Sequence, residues 1–476
     1  MNIIKSLVEK YKNLDIVLKA TIWFIAVTVV DKGIAVLTQP VVNRILSIDQ
    51  VGICGLYNSW YSILAIFETF NLSGGVLEVY LTKGNNKSQV IASLSSLSFI
   101  ISLIFFGLIF LFIDPISAFL DLKPIYLFVM ALTIISETFV QFWAVPKRFE
   151  YAYKSYAILT VAVFFTKCCL SIFLAYFYEK DRVLGRIVGL CVPSLILAVF
   201  LVINIISNCD FRKISEYWGK AIKFCLPLIP HYLASVLLAS SDRVMIEKMS
   251  GINAVGLYTV AYSYANLAII IFSAINNAYN PYSMRALKDE NYSGLSKMTN
   301  SMLVISILFS ALMIYLAPEG LMILGGKQYI PALRIIPVLV VGIFFSSFYF
   351  IFSNVEFVYE KTGFIFPITV GGTLLNVGLN YLLIPKFGYE VAAYTTLLGY
   401  VLIAIAHYFV SRTLVGRDIF NIKAISLMLV VLTMLAVLGY YLYNVHPLIR
   451  YFIVVVIAMC CFGSVVSKRW GLKKKD

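Results

Sequence analysis

The feature that most constrains this chain is a repeated window of about 20 apolar residues, the length a helix needs to cross a hydrocarbon layer roughly 30 Å thick. These windows are separated by short charged turns along nearly all of its 476 residues. Hydrophobic residues make up 61% and charged residues 13%, and the mean hydropathy is +0.89, well beyond the roughly half-apolar usage of soluble domains. The expected fold class is therefore all-α integral membrane, with no soluble domain.

Candidate spans run Ile16 to Val42, Gly52 to Phe70, Val90 to Ile113, Ile125 to Val145, Tyr156 to Phe177, Val183 to Ile206 and Ala221 to Ser240. They continue with Ala254 to Asn277, Met302 to Leu316, Ile335 to Ser353, Phe364 to Ile384, Val391 to Val410, Ile425 to Tyr443 and Leu448 to Val466, about 14 in all. An even number puts both termini on one side. Residues 1–15, broken by Lys5, Lys10 and Lys12, read as an amphipathic segment lying on the cytoplasmic surface rather than a cleaved signal.

Charge distribution tests the count, because a missed span would scramble the alternation of basic loops. With the N-terminus inside, 25 Lys and Arg fall on the cytoplasmic side and 11 outside, and Lys32 and Lys167 lie within spans. The basic tail at Lys473, Lys474 and Lys475 joins the cytoplasmic set. Orientation thus explains the net charge of +14 better than nucleic-acid binding does. The expected location is a bacterial cytoplasmic (inner) membrane, multi-pass.

Eight cysteines lie mostly in apolar runs without C-x-x-C spacing, and the three histidines, His231, His407 and His446, are far apart in the chain. No metal site, cofactor or catalytic residue is expected. The longest connection, 207–220, is cytoplasmic, and no external loop has room for the catalytic acid of a polysaccharide polymerase or ligase. A P-loop is missing too, so direct use of ATP is not expected.

An internal repeat divides the chain. Gly55-Leu56-Tyr57 and Tyr61 recur as Gly256-Leu257-Tyr258 and Tyr262, 201 positions later, and each set follows an arginine, Arg44 or Arg243. Thr160, Val161 and Leu170 match Thr369, Val370 and Leu379 more weakly. Two six-helix bundles follow, at 16–210 and 211–415, with 416–476 holding helices 13 and 14 and the tail. The competing reading is that G-L-Y merely opens helices with interfacial aromatics.

Polar residues recur at helical spacing inside the spans. The first span carries Thr28, Lys32, Gln39 and Asn43 on one face, with Asp31 beside it; the fourth carries Thr133, Glu137, Gln141 and Arg148; the fifth carries Thr160, Lys167 and Ser171. The second half offers His231, Ser235 and Asp242, then Tyr262, Asn266, Ser273, Asn277 and Asn280, then Thr373, Asn376 and Asn380. Such stripes suggest a hydrated cleft between bundles. Hydroxyls and amides also glue helices together, at about 0.6 kcal/mol apiece, and both readings stay open for them. For Lys32, Lys167, Asp31 and Glu137 the cost of burying charge, about 2.5–3.5 kcal/mol on insertion scales, favours function. Two buried cations call for an anionic cargo or a carboxylate partner, and Asp31 and Glu137 are the carboxylates at hand.

The run Lys223-Phe224-Cys225-Leu226-Pro227-Leu228-Ile229-Pro230-His231, then Ser241-Asp242-Arg243-Val244-Met245-Ile246 and Gly256-Leu257-Tyr258, resembles the polysaccharide flippases of the multidrug/oligosaccharidyl-lipid/polysaccharide exporter superfamily. Glu360-Lys361-Thr362, Asn376 to Asn380, Leu383-Ile384-Pro385-Lys386-Phe387-Gly388 and Ala392-Ala393 stand in the order seen in Wzx-type repeat-unit flippases, with Gln39 and Arg44 fitting the start. The resemblance covers about residues 16–415 and departs at Tyr389-Glu390-Val391, where the family usually has glycine.

It implies a V-shaped pair of six-helix bundles working by alternating access on an undecaprenyl-diphosphate-linked oligosaccharide for O-antigen or capsule synthesis. Lys32, Lys167 and Arg148 would draw the diphosphate, while Gln39, Gln141, Tyr262, Asn266, Asn277, Asn376 and Asn380 would hydrogen-bond the glycan. Membrane lipids and a polysaccharide polymerase are the implied partners. An H+ or Na+ gradient is the candidate driving force, with Asp31 or Glu137 titrating. The rivals are a multidrug or cation antiporter of the same superfamily, whose cavity should be dominated by carboxylates, a lipid II flippase, and the membrane polymerase or ligase already weighed.

Overall fold

The structure is a computed structural model that describes residues 14–83, 86–457 and 459. The basic tail at Lys473–Lys475 and most of the expected N-terminal surface segment lie outside the described residues. Among the described residues there are helices and turns and no strand, as the bilayer demands of a chain whose backbone must satisfy itself.

The first long helices are α1 (Ile16–Ile45), α2 (Ile48–Thr69), α3 (Lys87–Leu111), α4 (Pro124–Phe149), α5 (Tyr153–Phe177) and α6 (Arg182–Ser207). They continue with α7 (Ile229–Ser250), α8 (Ile252–Lys288), α9 (Tyr292–Tyr315), α10 (Ile336–Val358), α11 (Ile365–Phe387), α12 (Val391–Val415) and α13 (Ile422–Leu442). The short apolar helix α14 covers Pro447–Ile457. By length and apolarity 12 helical stretches can cross a membrane. The polar load of α2, from Asp49 to Glu68, keeps it out of that set although it has 22 residues. With α2 and α14 the expected number of about 14 is met.

Helix ends differ from the hydropathy reading in an instructive way. Arg44 and Arg243 lie inside α1 and α7, not in external loops. Helix α7 starts at Ile229 and reaches Ser250 because Trp218–Cys225 forms a separate short helix, joined by a tight turn at Leu226–Leu228. Helix α8 runs 37 residues, well past Asn277. Hydropathy reports depth in hydrocarbon, whereas a helix ends where its backbone finds a cap. Between α1 and α2 the cap is Ser47, whose hydroxyl accepts from Gln50 N at 3.2 Å while Gln50 Oε1 accepts from Ser47 N at 3.0 Å. Between α7 and α8 it is Gly251, at φ +85°, whose N–H reaches the carbonyls of Ile246 and Glu247.

The chain divides into two compact units between Val236 and Leu237. In the first unit α5 packs on α1 and α6, and α4 on α6, while α3 lies against α2 and α4. Tyr217, Ala221 and Cys225 of the connecting segment sit in the core of this unit with Leu77, Leu94 and Phe142. Trp218 Nε1 donates to the Ser93 carbonyl at 2.9 Å. In the second unit α10 packs on α8 and α12, α11 on α12, and α9 on α8 and α13. Helices α13 and α14 cover Ala311 and Tyr315 of α9, and Arg450 is ion-paired with Glu319. Outward faces are apolar, with Leu37, Ile158 and Phe452 each more than 70% exposed, the surface a lipid-solvated protein presents.

The approach of α5 to α6 depends on Gly185 and Gly189, spaced as a G-x-x-x-G pair. A Cβ on Gly189 would stand 2.4 Å from Ser171 Cα, and one on Gly185 2.5 Å from the Leu174 carbonyl oxygen. Gly189→Leu is therefore expected to destabilise the protein by about 1–3 kcal/mol or more in a detergent melt. Gly107→Leu, where a Cβ meets nothing within 4 Å, should melt like the wild type.

Candidate functional site

Each unit buries one polar cluster built from several helices. In the first, Lys167 of α5 is ion-paired with Glu137 of α4, and Ser194 of α6 donates its hydroxyl to the same carboxylate oxygen, Oε1, at 2.8 Å. The lysine side chain is 14% exposed and the glutamate 28%, so the pair is shielded without being sealed from water. Asp31 of α1 feels the Lys167 charge, and Tyr61 of α2 feels that of Glu137. Five helices thus bring polar groups toward one place, and the face spacing of each helix explains why.

Lys32, one step along α1 and so turned about 100° from Asp31, is half-buried. Among the described residues it makes no ion pair. The two lysines thus differ in kind: Lys167 has its carboxylate, and Lys32 keeps its charge unmatched. Gln141, one turn beyond Glu137, is exposed. Arg148 is exposed in the last turn of α4, roughly 16 Å along the axis from Glu137 at 1.5 Å per residue, and is no part of the cluster. Gln39 donates to Asn43 Oδ1 at 2.9 Å.

In the second unit the centre is Asp242 of α7, 1% exposed. Its carboxylate accepts from Tyr258 of α8 at 2.6 Å, Thr396 of α12 at 2.7 Å and Asn380 of α11 at 2.7 Å. Asn376 donates to Thr396 Oγ1 at 3.0 Å, and Thr395 donates to Asn380 Oδ1. The neighbouring Arg243 guanidinium lies 4.5 Å from the Tyr262 ring centroid and 5.9 Å from that of Tyr258. Asn376 and Asn380 are fully buried and their amides are engaged inside the unit, while Tyr262 is covered by Arg243. Asn266 is half-buried and Asn277 exposed, 11 residues further along α8. Within this unit the buried Asn376 and Asn380 do not share a surface with the exposed Asn277.

Chemically, the second cluster gathers carboxylate, amide and hydroxyl oxygens from four helices, a donor set suited to a proton or a small hard cation. Its carboxylate has three neutral donors and no contacting ammonium or guanidinium hydrogen bond. Among the described residues no group of three or more His, Cys, Asp or Glu side chains is placed to hold a metal.

Three further pairs escaped sequence reasoning. Glu68 of α2 is fully buried and accepts from Ser102 of α3; Glu356 of α10 meets His407 of α12, both at 0% exposure; and Glu319 holds Arg450. Glu68 and Glu356 each stand alone in a span, and a lone carboxylate there was the signal to follow.

Comparison with known proteins follows from this architecture of polytopic helices with buried polar clusters. Residues 17–287 match the family model described as "Polysaccharide biosynthesis protein", and residues 227–382 match the MatE model. The chain belongs to the polysaccharide biosynthesis protein family, within the multidrug/oligosaccharidyl-lipid/polysaccharide exporter superfamily. A Haemophilus influenzae relative, "Lsg locus putative protein 1", is 24% identical over 76% of this chain and 90% of its own length. An uncharacterized membrane protein of the same organism is 21% identical over 73% and 85%. Among solved structures, the lipid II flippase MurJ in an inward closed conformation superposes with a TM-score of 0.67 at 15% identity, covering 94% of this chain and 99% of that one. An inward-facing multidrug resistance MATE family transporter gives 0.60 at 14%, covering 80% and 94%. These likenesses place the fold.

Because Glu137 is shared by Lys167 and Ser194, Lys167→Met should lower stability more than the double variant Lys167→Met/Glu137→Gln. A double-mutant cycle read by thermal melts is expected to return about 1–3 kcal/mol of coupling. A coupling near zero would mean the pair does not hold α4 to α5.

Proposed function

We propose that this protein is a flippase that carries an undecaprenyl-diphosphate-linked oligosaccharide repeat unit across the cytoplasmic membrane by alternating access, for synthesis of a cell-surface polysaccharide. The observation that carries the reading is the family match over residues 17–287, joined by the MurJ-like fold. Basic loops would face the cytoplasm, where such lipids are assembled. Moving a lipid-linked sugar breaks no covalent bond, so the chain would act without enzymatic chemistry.

Within this reading Lys32 is the first anchor for the diphosphate, since of Lys32 and Lys167 it is the one that no carboxylate pairs. Lys167 would join only when phosphate displaces Glu137, a competition that makes Glu137 a candidate for proton coupling alongside Asp31. We assign a second coupling role to Asp242, where burial without a contacting cation favours binding H+ or Na+. Polysaccharide polymerases and membrane lipids remain the expected partners.

A second reading, export of a cationic compound by an antiporter, draws support from the MatE match over 227–382 and from the neutralisation of Lys167 by Glu137. The same experiment separates the two. A deletion strain should accumulate single lipid-linked repeats on the inner leaflet, and the wild-type gene should clear them. Lys32→Ala should clear them at less than about a tenth of that rate, the loss of roughly 1.4 kcal/mol or more of charge-assisted binding. Repeats trapped on the outer leaflet would point to a polymerase, and no accumulation at all, with increased sensitivity to cationic drugs, would favour the antiporter.

A further inference from the structure

A second candidate binding site lies in the first unit, apart from both polar clusters. Where α3 begins and α4 and α6 end, an open cavity of about 480 Å³ has Lys87, Ser88, Lys147 and Asn204 at its polar end and Phe142 and Phe200 on its apolar wall. Its volume falls in the range of small-ligand pockets. Three helix ends meet here, which sets the polar end at the level where hydrocarbon gives way to water. Neither Glu137 nor Lys167 lines it.

The chemistry of the lining selects its occupant. Lys87 is ion-paired with Glu150, whereas Lys147 has no carboxylate within ion-pairing distance among the described residues. The positive end of the 25-residue helix α3 opens on the same place: its cap, Asn86, takes the N–H groups of Gln89 and Val90. That leaves those of Lys87 and Ser88, in the first turn, directed outward. A cation, a hydroxyl, an amide and free backbone donors at one end call for phosphate. Phe200, 66% exposed, and the buried Phe142 beneath it call for hydrocarbon. A free phosphate would leave the aromatic wall unused, and a lipid without net charge would leave Lys147 unmatched.

We propose that this cavity binds a membrane glycerophospholipid of net negative charge, its phosphate on Lys147 and the start of α3 and its first methylenes on Phe200. Basic pockets between helices at a membrane face are suited to such headgroups. The bound lipid ties together the ends of α3, α4 and α6, and salt weakens it.

The test uses the full-length protein purified in neutral detergent, with lipid retention read by native mass spectrometry and no transport assay, so that it stands or falls separately from the flippase reading. Phosphatidylglycerol should be retained at lower concentration than phosphatidylcholine. Lys147→Gln should weaken its retention about fivefold, the worth of one lysine near an anionic lipid, and Lys147→Arg should restore it. Phe200→Ala should shorten retention of phosphatidylglycerol, and Lys288→Gln, on α8, should leave it unchanged. Equal retention of the two lipids by the wild type would overturn the proposal, and so would a Lys147→Gln protein that holds phosphatidylglycerol as the wild type does. Undecaprenyl phosphate displacing phosphatidylglycerol at a lower concentration than phosphatidylglycerol itself binds would also overturn it, assigning the cavity to the carrier lipid.

Discussion

Hydrocarbon offers no hydrogen bonds, so every polar group this chain carries into its spans must find a partner within the protein, and that requirement organises both units. The knot at Asp242 is its fullest expression. One carboxylate is met by a phenol, a hydroxyl and an amide from three other helices. The amide is itself held by Thr395, and the hydroxyl receives Asn376. Losing one partner would strand buried groups at about 1–3 kcal/mol each, so the positions of α7, α8, α11 and α12 are mutually determined. Small residues complete the packing: a Cβ on Gly372 would lie 2.6 Å from the side chain of Ile403 on α12.

The two halves of the G-L-Y repeat bury different polar residues. Arg44 and Arg243 stand a similar distance before their G-L-Y motifs, and the residues preceding them are Asn43 and Asp242, both buried. In the first unit the Asn43 amide oxygen accepts from Gln39, one turn earlier on α1. In the second, a carboxylate at the corresponding place draws in three other helices. The first unit spends its charge elsewhere, at Glu137 and Lys167, where a lysine supplies the compensation that Asp242 lacks in direct contact. The first cluster thus sets its carboxylate against an ammonium, and the second sets Asp242 against three neutral donors with the Arg243 guanidinium nearby.

Much of the fold was legible because the bilayer imposes a simple length rule, and 14 apolar or near-apolar stretches obey it. Helix ends were less legible: Arg44, Asp242 and Arg243 continue helices beyond the apolar window, since a cap such as Ser47 or Gly251 ends a helix and a charge does not. In the site, periodicity grouped Asn376 with Asn380 and Lys32 with Thr28, Gln39 and Asn43, but a period gives the angle between side chains on one helix and says nothing about what that angle faces. The two asparagines share a face as expected, yet that face looks inward to Asp242. Lone carboxylates at Glu68 and Glu356 carry no periodicity at all, and their partners, Ser102 and His407, are distant in sequence.

Lys32 and Lys167 make the same point with consequences for mechanism. Both are single lysines in apolar helices with hydroxyl or amide residues on their face, and nothing local separates them. What separates them is α4, which places Glu137 against one and not the other. An ion pair with 14% and 28% exposure keeps part of its solvation, so exchanging its carboxylate for an incoming phosphate costs far less than opening a sealed pair. On the proposed function, Lys32 would meet an anion without losing a partner, whereas Lys167 would require Glu137 to give it up and keep Ser194 alone.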